Sequence, residues 1–438
     1  MLAAERGRIA RRDILAAAGG LAAWAVAPGM GHAAPVRTKA RIVIAGGGAA
    51  GLTVAARLRR ALDGADIVLL EPRGDHSYQP GFTLIGAGLK PAGYAQLKTA
   101  DFIPAGVSWV AEAASAFEPD VNAVVTDRGT RLPYDFLVVA TGLRLDYAAI
   151  AGMDTALIGR EGIASVYAGP EAAARSWAAL ARYAETGGVG LFGRPATEMK
   201  CAGAPLKQTF LADDTLRRAG TRSRSEIVYN AHNRTLFSVP LVDTKLHELF
   251  ARQDFAVNWD HVLIAIDPGR HVATYATPSG PVERAWDFIN VIPPMRAPDA
   301  VRNSPLPWQA GPFAADGWIE VDKATLRHLR YPNVFGVGDV NGVPKGKTAA
   351  SVKWQAPVAV DHLVGTITGK GGTERYNGYT SCPLITRAGE AMLVEFDYDN
   401  NLTPSFPFVP PLEEHWLSWI IKEKGLKANY TAMLRGRA

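Results

Sequence analysis

Cysteine is nearly absent, with only Cys201 and Cys382 in 438 residues. Two sulfurs 181 positions apart lack the third and fourth ligands of a zinc site, so no metal centre is expected. The haem-attachment pattern Cys-x-x-Cys-His does not occur, so any haem belongs to a partner. Beyond the first 33 residues no run of 18 consecutive apolar residues is found, and any dealings with a membrane are from its surface. Lys/Arg blocks are missing too, and aromatics are not interleaved with basic runs, so no nucleic-acid partner is expected.

What is present is a core-forming composition, 48% hydrophobic against 20% charged, which excludes disorder and a long coiled coil. The 44 glycines and 29 prolines suit a loop-rich α/β protein whose backbone approaches a ligand closely. The net charge of +5 is partly an N-terminal matter: Arg6, Arg8, Arg11 and Arg12 face only Glu5 and Asp13, and without that segment about +3 remains. Arg11-Arg12 precede a short apolar stretch to Ala27, then Pro28 and a small-residue site at Gly31-His32-Ala33. Residues 1–33 read as a twin-arginine signal peptide, with export to the periplasm and a mature start near Ala34. That route carries folded proteins, which fits a tightly held organic cofactor.

The strand pattern Arg41–Ala45 runs into Gly46, Gly48 and Gly51, a helix from Leu52 to Leu62, and a second strand from Ile67 to Leu70. That strand ends at Glu71, an acid 20 residues after Gly51. Strand, G-x-G-x-x-G, helix, strand and acid together form the complete dinucleotide fingerprint: glycines for backbone approach to a pyrophosphate, a carboxylate for a ribose. Two further segments favour FAD. Leu137–Gly142, ending in Thr141-Gly142, resembles the strand that leaves a first nucleotide domain, and Asn333–Asp339, ending in Gly338-Asp339, resembles the late strand whose aspartate holds a ribityl chain. A helix beginning near Thr348 would aim its positive end at the flavin.

The expected fold is α/β, with two Rossmann-like dinucleotide-binding domains and a C-terminal segment. Residues 36–151 and 284–366 are assigned to an FAD domain, 152–283 to a second Rossmann-like domain, and 367–438 to a C-terminal redox-cysteine and membrane-interface segment. Gly188, Gly190 and Gly193 satisfy G-x-G-x-x-G formally, but apolar strand residues lie inside the motif and Arg194-Pro195 follow where a phosphate-binding helix would start. It is read as a false match, and no nicotinamide nucleotide is expected.

Both cysteines fall in loops with unusual neighbours, Lys200–Lys207 around Cys201 and Tyr379–Leu384 around Cys382. An even count in an exported chain fits a bracing disulfide. It equally fits a redox pair beside the flavin, with Lys200 and Lys207 lowering a thiolate pKa or attracting an anion. His232 is a candidate proton relay.

The Lys200–Lys207 loop, Ile292–Pro298, Lys347–Ser351, Gly378–Leu384 and Glu395–Asp399 resemble the sulfide:quinone oxidoreductases, closest to the branch with two redox cysteines. The resemblance implies FAD-dependent oxidation of sulfide to sulfane sulfur or polysulfide, with electrons passing to a membrane quinone. It makes Cys382 the site of sulfide attack and holder of the persulfide, and Cys201 the thiolate that meets the flavin. A cleavable leader departs from that family and suits its relative, the flavoprotein subunit of flavocytochrome c sulfide dehydrogenase, whose acceptor is a c-type cytochrome. Leu412, Trp416, Trp419 and Ile420 at helical spacing, with Lys422, Lys424 and Lys427 following, read as an interfacial helix at the outer face of the inner membrane. The sulfur acceptor and a homo-oligomeric state are left open.

Overall fold

The computed structural model describes residues 34–438, and the leader read over 1–33 lies outside the described residues. Five parallel strands form the first sheet in the order Val334–Gly336, Phe136–Val139, Arg41–Ala45, Asp66–Leu70 and Val107–Val110. The central strands are apolar at nearly every position because both faces are covered. The Ala49–Ala61 helix covers part of one face and packs along the long helix Ala349–Thr368. Two glycines of the fingerprint are fixed by space. A Cβ on Gly51 would stand 1.8 Å from the Gly46 carbonyl oxygen, and Gly46, at φ +107°, would put one 2.4 Å from the Ala140 carbonyl oxygen. A Cβ on Gly48 would have no neighbour within 4 Å, so this glycine keeps open space open.

The second sheet is also parallel and five-stranded, in the order Ile163–Ala164, Phe288–Asn290, Gly188–Gly193, Ser225–Asn230 and Ala256–Asn258. Phe288–Asn290 falls inside the range 284–366 assigned to the first domain, so the chain returns to the first domain only after Asn290. The apolar Phe288 and Ile289 read equally well as a strand of either sheet, and only pairing with Gly190 and Leu191 decides. The three glycines of 188–193 lie within a strand that follows the helix Pro170–Thr186, so no phosphate loop forms there. Gly190 has a packing role: a Cβ would come 2.7 Å from the Tyr183 hydroxyl of that helix.

The hairpin Thr380–Arg387 with Glu390–Phe396 packs on the helix Ala204–Ala219, which begins three residues after Cys201. This contact brings the two distant cysteine loops together. The C-terminal segment departs from one continuous interfacial helix: Trp416–Ile420 is a single α-turn, Ile421–Gly425 a π-turn, and Leu426–Leu434 a second α-helix. Leu412 lies before it, Trp416 is half exposed, and Trp419 packs against Leu84, Leu211 and Ile385. Lys422 is buried and Lys427, partly buried, donates to the Tyr94 carbonyl at 2.6 Å, so of the three lysines Lys424 is the most exposed. No helix among the described residues is long and apolar enough to cross a membrane. Gly51→Ala is expected to cost about 3 kcal/mol or more of stability, whereas Gly48→Ala should fold normally; thermal melts of the two variants check this.

Candidate active site

A cleft of about 1880 Å³ runs along the carboxyl ends of the first sheet. Gly46, Gly48, Glu71, Thr141, Gly142, Gly338, Asp339 and Thr348 line it, together with Lys200, Cys201 and Lys207. Gly51 lies behind the wall, and Cys382 is buried behind Cys201. These walls fit a dinucleotide. The hydroxyls of Thr141 and Tyr78 are buried at the cleft with no partner, and Gly48 leaves clear space at a helix N-terminus. Glu71 Oε2 accepts the Gly47 N–H at 3.0 Å, and Arg73 donates to both carboxylate oxygens at 2.8 and 3.1 Å. Burial alone would raise the Glu71 pKa, but the Arg73 hydrogen bonds and charge outweigh it and hold the group below the usual carboxylate range.

Further along the cleft, Thr348 caps the 349–368 helix by accepting the Ser351 N–H at 3.1 Å, and its hydroxyl meets that of Thr380 at 2.9 Å. The cap ties the helix N-terminus to the strand that carries Cys382. Gly338, at φ +84°, allows close approach of the 49–61 helix, since a Cβ would sit 2.9 Å from that of Ala50. Beside it Asp339 is driven up by burial, against the opposing pull of Lys200 and Lys347.

Cys201 occupies the left-handed region at φ +50°, a conformation that costs a side-chain-bearing residue about 1 kcal/mol or more. Its N–H donates to the Lys347 carbonyl at 3.0 Å, and its carbonyl accepts the Ala204 N–H at 2.7 Å. Pro205 starts the next helix, and Lys207, within the first turn, places Nζ 3.3 Å from Cys201 Sγ. The Cys201 thiol is held well below its ordinary pKa by a hydrogen bond from Cys382, opposed by burial and reinforced by Lys207 and then Lys422. Cys382 moves the opposite way because it is the donor to Cys201 and is itself buried. Both cysteines are free, and their shifts run in opposite directions, Cys201 as the acceptor and Cys382 as the donor. A Cβ at Gly203 would fall 2.3 Å from Cys382 Sγ, so the second sulfur seats only over a glycine.

Lys207 stays protonated although burial opposes it, because both sulfurs favour its charge. Lys200 behaves differently from the expected thiolate partner: its Nζ donates to Gln79 Oε1 at 2.7 Å and lies 5.6 Å from the Tyr167 ring centre. Two further lysines, not singled out from the sequence as site residues, complete the setting. Lys347 donates to the Asp339 and Asn341 carbonyls, both at 2.8 Å, and burial lowers its pKa to about 8. Lys422 donates to the Pro80 carbonyl at 2.7 Å, and burial followed by repulsion from Lys207 brings it to about 7. The π-turn is what rotates Lys422 inward from an otherwise amphipathic run. His232 has a buried Nδ1 without a partner, and burial with Arg194 lowers its pKa to about 4. Among the described residues no cluster could hold a metal ion.

The family model for pyridine nucleotide-disulphide oxidoreductases matches residues 40–177, the first nucleotide fold up to the helix that opens the second. The mitochondrial sulfide:quinone oxidoreductase of Mus musculus is 36% identical over 84% of this chain and 80% of its own length. The chain belongs to the sulfide:quinone oxidoreductase family. The Dictyostelium discoideum member is likewise 36% identical, over 91% of this chain and 86% of its own. The solved sulfide:quinone oxidoreductase of Aquifex aeolicus shares the fold at a TM-score of 0.74 over 91% of this chain and 92% of that one, with 20% identity.

The low pKa of Lys422 has a stability consequence. The folded state binds fewer protons at this group than the unfolded state between about pH 7 and the unperturbed value of about 10.4. Its burial penalty is therefore full below pH 7 and falls as pH rises through that window. Lys422→Met should raise the melting temperature at pH 6–7, with the advantage shrinking towards pH 10; melts across that range check the sign.

Proposed function

We propose that this protein oxidises sulfide to sulfane sulfur at the Cys201–Cys382 pair, hands the electrons to FAD in the adjoining cleft, and reduces a membrane quinone. The observation that carries the reading is the Cys201 sulfur 3.3 Å from the Lys207 ammonium on the wall of the cleft, with Cys382 immediately behind it. A bracing disulfide has no use for a buried cation at one sulfur.

The chemistry begins from the oxidised pair. Hydrosulfide attacks the Cys382 sulfur, the Cys201–Cys382 bond breaks, and the electron pair of that bond leaves on Cys201 while Cys382 becomes the persulfide. Lys207 stabilises the leaving thiolate, and Lys422, close to its own titration point near pH 7, can give or take a proton beside it. Gly46, Gly48, Glu71, Thr141, Gly338 and Asp339 would hold FAD, which when bound would supply a two-electron acceptor that passes its electrons to quinone. The sulfane sulfur leaves to a nucleophilic acceptor and the electron pair of its bond stays on Cys382; loss of two electrons from the Cys201 and Cys382 thiolates to the flavin would then re-form the Cys201–Cys382 bond.

Delivery of quinone from a membrane surface has support at the far mouth of the cleft. Trp354 there is 51% exposed, against Tyr379 at 5.5 Å between ring centres, and Tyr379 bonds Ser405. Phe406 and Phe408 follow directly, with Phe408 68% and Trp416 50% exposed, which favours peripheral attachment through aromatic side chains. With the leader read over 1–33, the location is the periplasmic face of the inner membrane. A c-type cytochrome is the rival acceptor, and the acceptor test below separates the two.

Sulfide added anaerobically should bleach the flavin, and a soluble quinone should restore it; restoration by cytochrome c alone would move the protein to the flavocytochrome type. Cys201→Ser and Cys382→Ser should each retain FAD and lose at least about 100-fold in the rate of bleaching, a loss that stopped-flow absorbance measures. Glu71→Ala should weaken FAD retention by about tenfold, read as flavin remaining after dialysis.

A further inference from the structure

The second sheet has a strand-order reversal of its own. Its strand order reverses between Gly188–Gly193 and Phe288–Asn290: from the former the chain proceeds outward to Ser225–Asn230 and Ala256–Asn258, then returns to the other side. In open parallel sheets ligands bind outside the carboxyl ends of the strands at such a reversal. Arg194 and Asn290 stand at those two carboxyl ends here.

The polar groups at this crevice lack protein partners. Arg194 Nε, Tyr229 Oη, His232 Nδ1 and Asn290 Nδ2 are all buried without a hydrogen bond. Tyr229 is fully buried and Asn290 is 5% exposed, and each presents a donor that burial makes costly to leave unmade. Arg194 pairs with no carboxylate among the described residues. Its charge bears on Tyr229, His232 and Tyr167, and the Tyr167 hydroxyl donates at 3.2 Å to the carbonyl of Lys200, the residue before Cys201. An unpaired guanidinium with neutral donors around it, adjoining a sulfur pair, is the chemistry of an anion site. Arg194-Pro195 also occupy the place where a phosphate-binding helix would begin, so the crevice suits a small ion and not a dinucleotide.

We propose that this crevice binds a small sulfur anion on its path to or from the cysteine pair, with Arg194 as the counter-charge. The inference rests on the sulfide chemistry proposed above for its ligand. Two anions share the required chemistry: hydrosulfide arriving as substrate, and an anionic acceptor such as sulfite arriving to take the sulfane sulfur.

The probe is thiocyanate, an inert sulfur-bearing monoanion, titrated calorimetrically into the oxidised holoprotein. Wild type should bind it, Arg194→Met should weaken binding by about 10- to 100-fold, and Arg194→Lys should fall between, with FAD content unchanged in both variants. Arg194→Met should then raise the half-saturating concentration of sulfide for flavin bleaching at an unchanged limiting rate if hydrosulfide is the occupant. If the acceptor is the occupant, bleaching stays as in wild type and the half-saturating concentration of sulfite in turnover rises. Equal thiocyanate binding in wild type and Arg194→Met, or none in either, overturns the proposal and leaves the crevice to water. Thiocyanate binding that moves neither half-saturation also overturns it. Failure of sulfide to bleach wild-type flavin defeats the parent reading and is distinguishable, because the calorimetry does not depend on turnover.

Discussion

The half-buried Cys201 sulfur facing the buried Lys207 ammonium at 3.3 Å is the contact on which the site depends. Neither charge is stable there alone, because an unpaired ion out of water costs several kcal/mol. Together, and with the Cys382 thiol donating, they hold a negative sulfur at the wall of the cleft. The surrounding architecture serves that geometry. Pro205 starts the helix that fixes Lys207 in its first turn, the left-handed turn at Cys201 aims its sulfur, and the 380–396 hairpin lays Cys382 over Gly203. A change of one methyl group at Gly203 would displace the second sulfur.

The two parallel sheets use their glycines differently. In the first, glycines keep backbone close to backbone and open a helix N-terminus to the cleft. In the second, formally similar glycines serve helix packing, as Gly190 does under Tyr183, and the strand ends carry Arg194, His232 and Asn290 instead of a phosphate loop. One sheet thus lines the cofactor cleft, and the other carries partnerless polar groups at its strand ends.

Much of this was legible from residue order because it is local. The fingerprint Gly46–Glu71, the strand ending at Gly338-Asp339 and the cap at Thr348 are short patterns whose chemistry depends on neighbours in sequence, and the structure sets them along one cleft. The false glycine motif at 188–193 could be rejected on the same local grounds. What escaped depends on tertiary contact. Phe288–Asn290 joins the second sheet through pairing that no local pattern encodes, and Lys200 turns to Gln79 while its near neighbour Lys207 meets the sulfur. Lys422 was hidden by an amphipathic pattern, since one π-turn carries it from the expected surface to the interior. The signal for it was faint: a lysine directly after three large apolar residues, Trp419 to Ile421.

The measurement that bears most directly on this account is a pH titration of thiolate absorbance near 240 nm in the reduced holoprotein, under anaerobic conditions, in wild type and Lys207→Met. One thiolate should titrate well under the ordinary thiol value of about 8.5 in wild type, and in Lys207→Met its midpoint should rise towards that value. A wild-type thiolate titrating in the ordinary range, or a midpoint indifferent to the loss of Lys207, would contradict it.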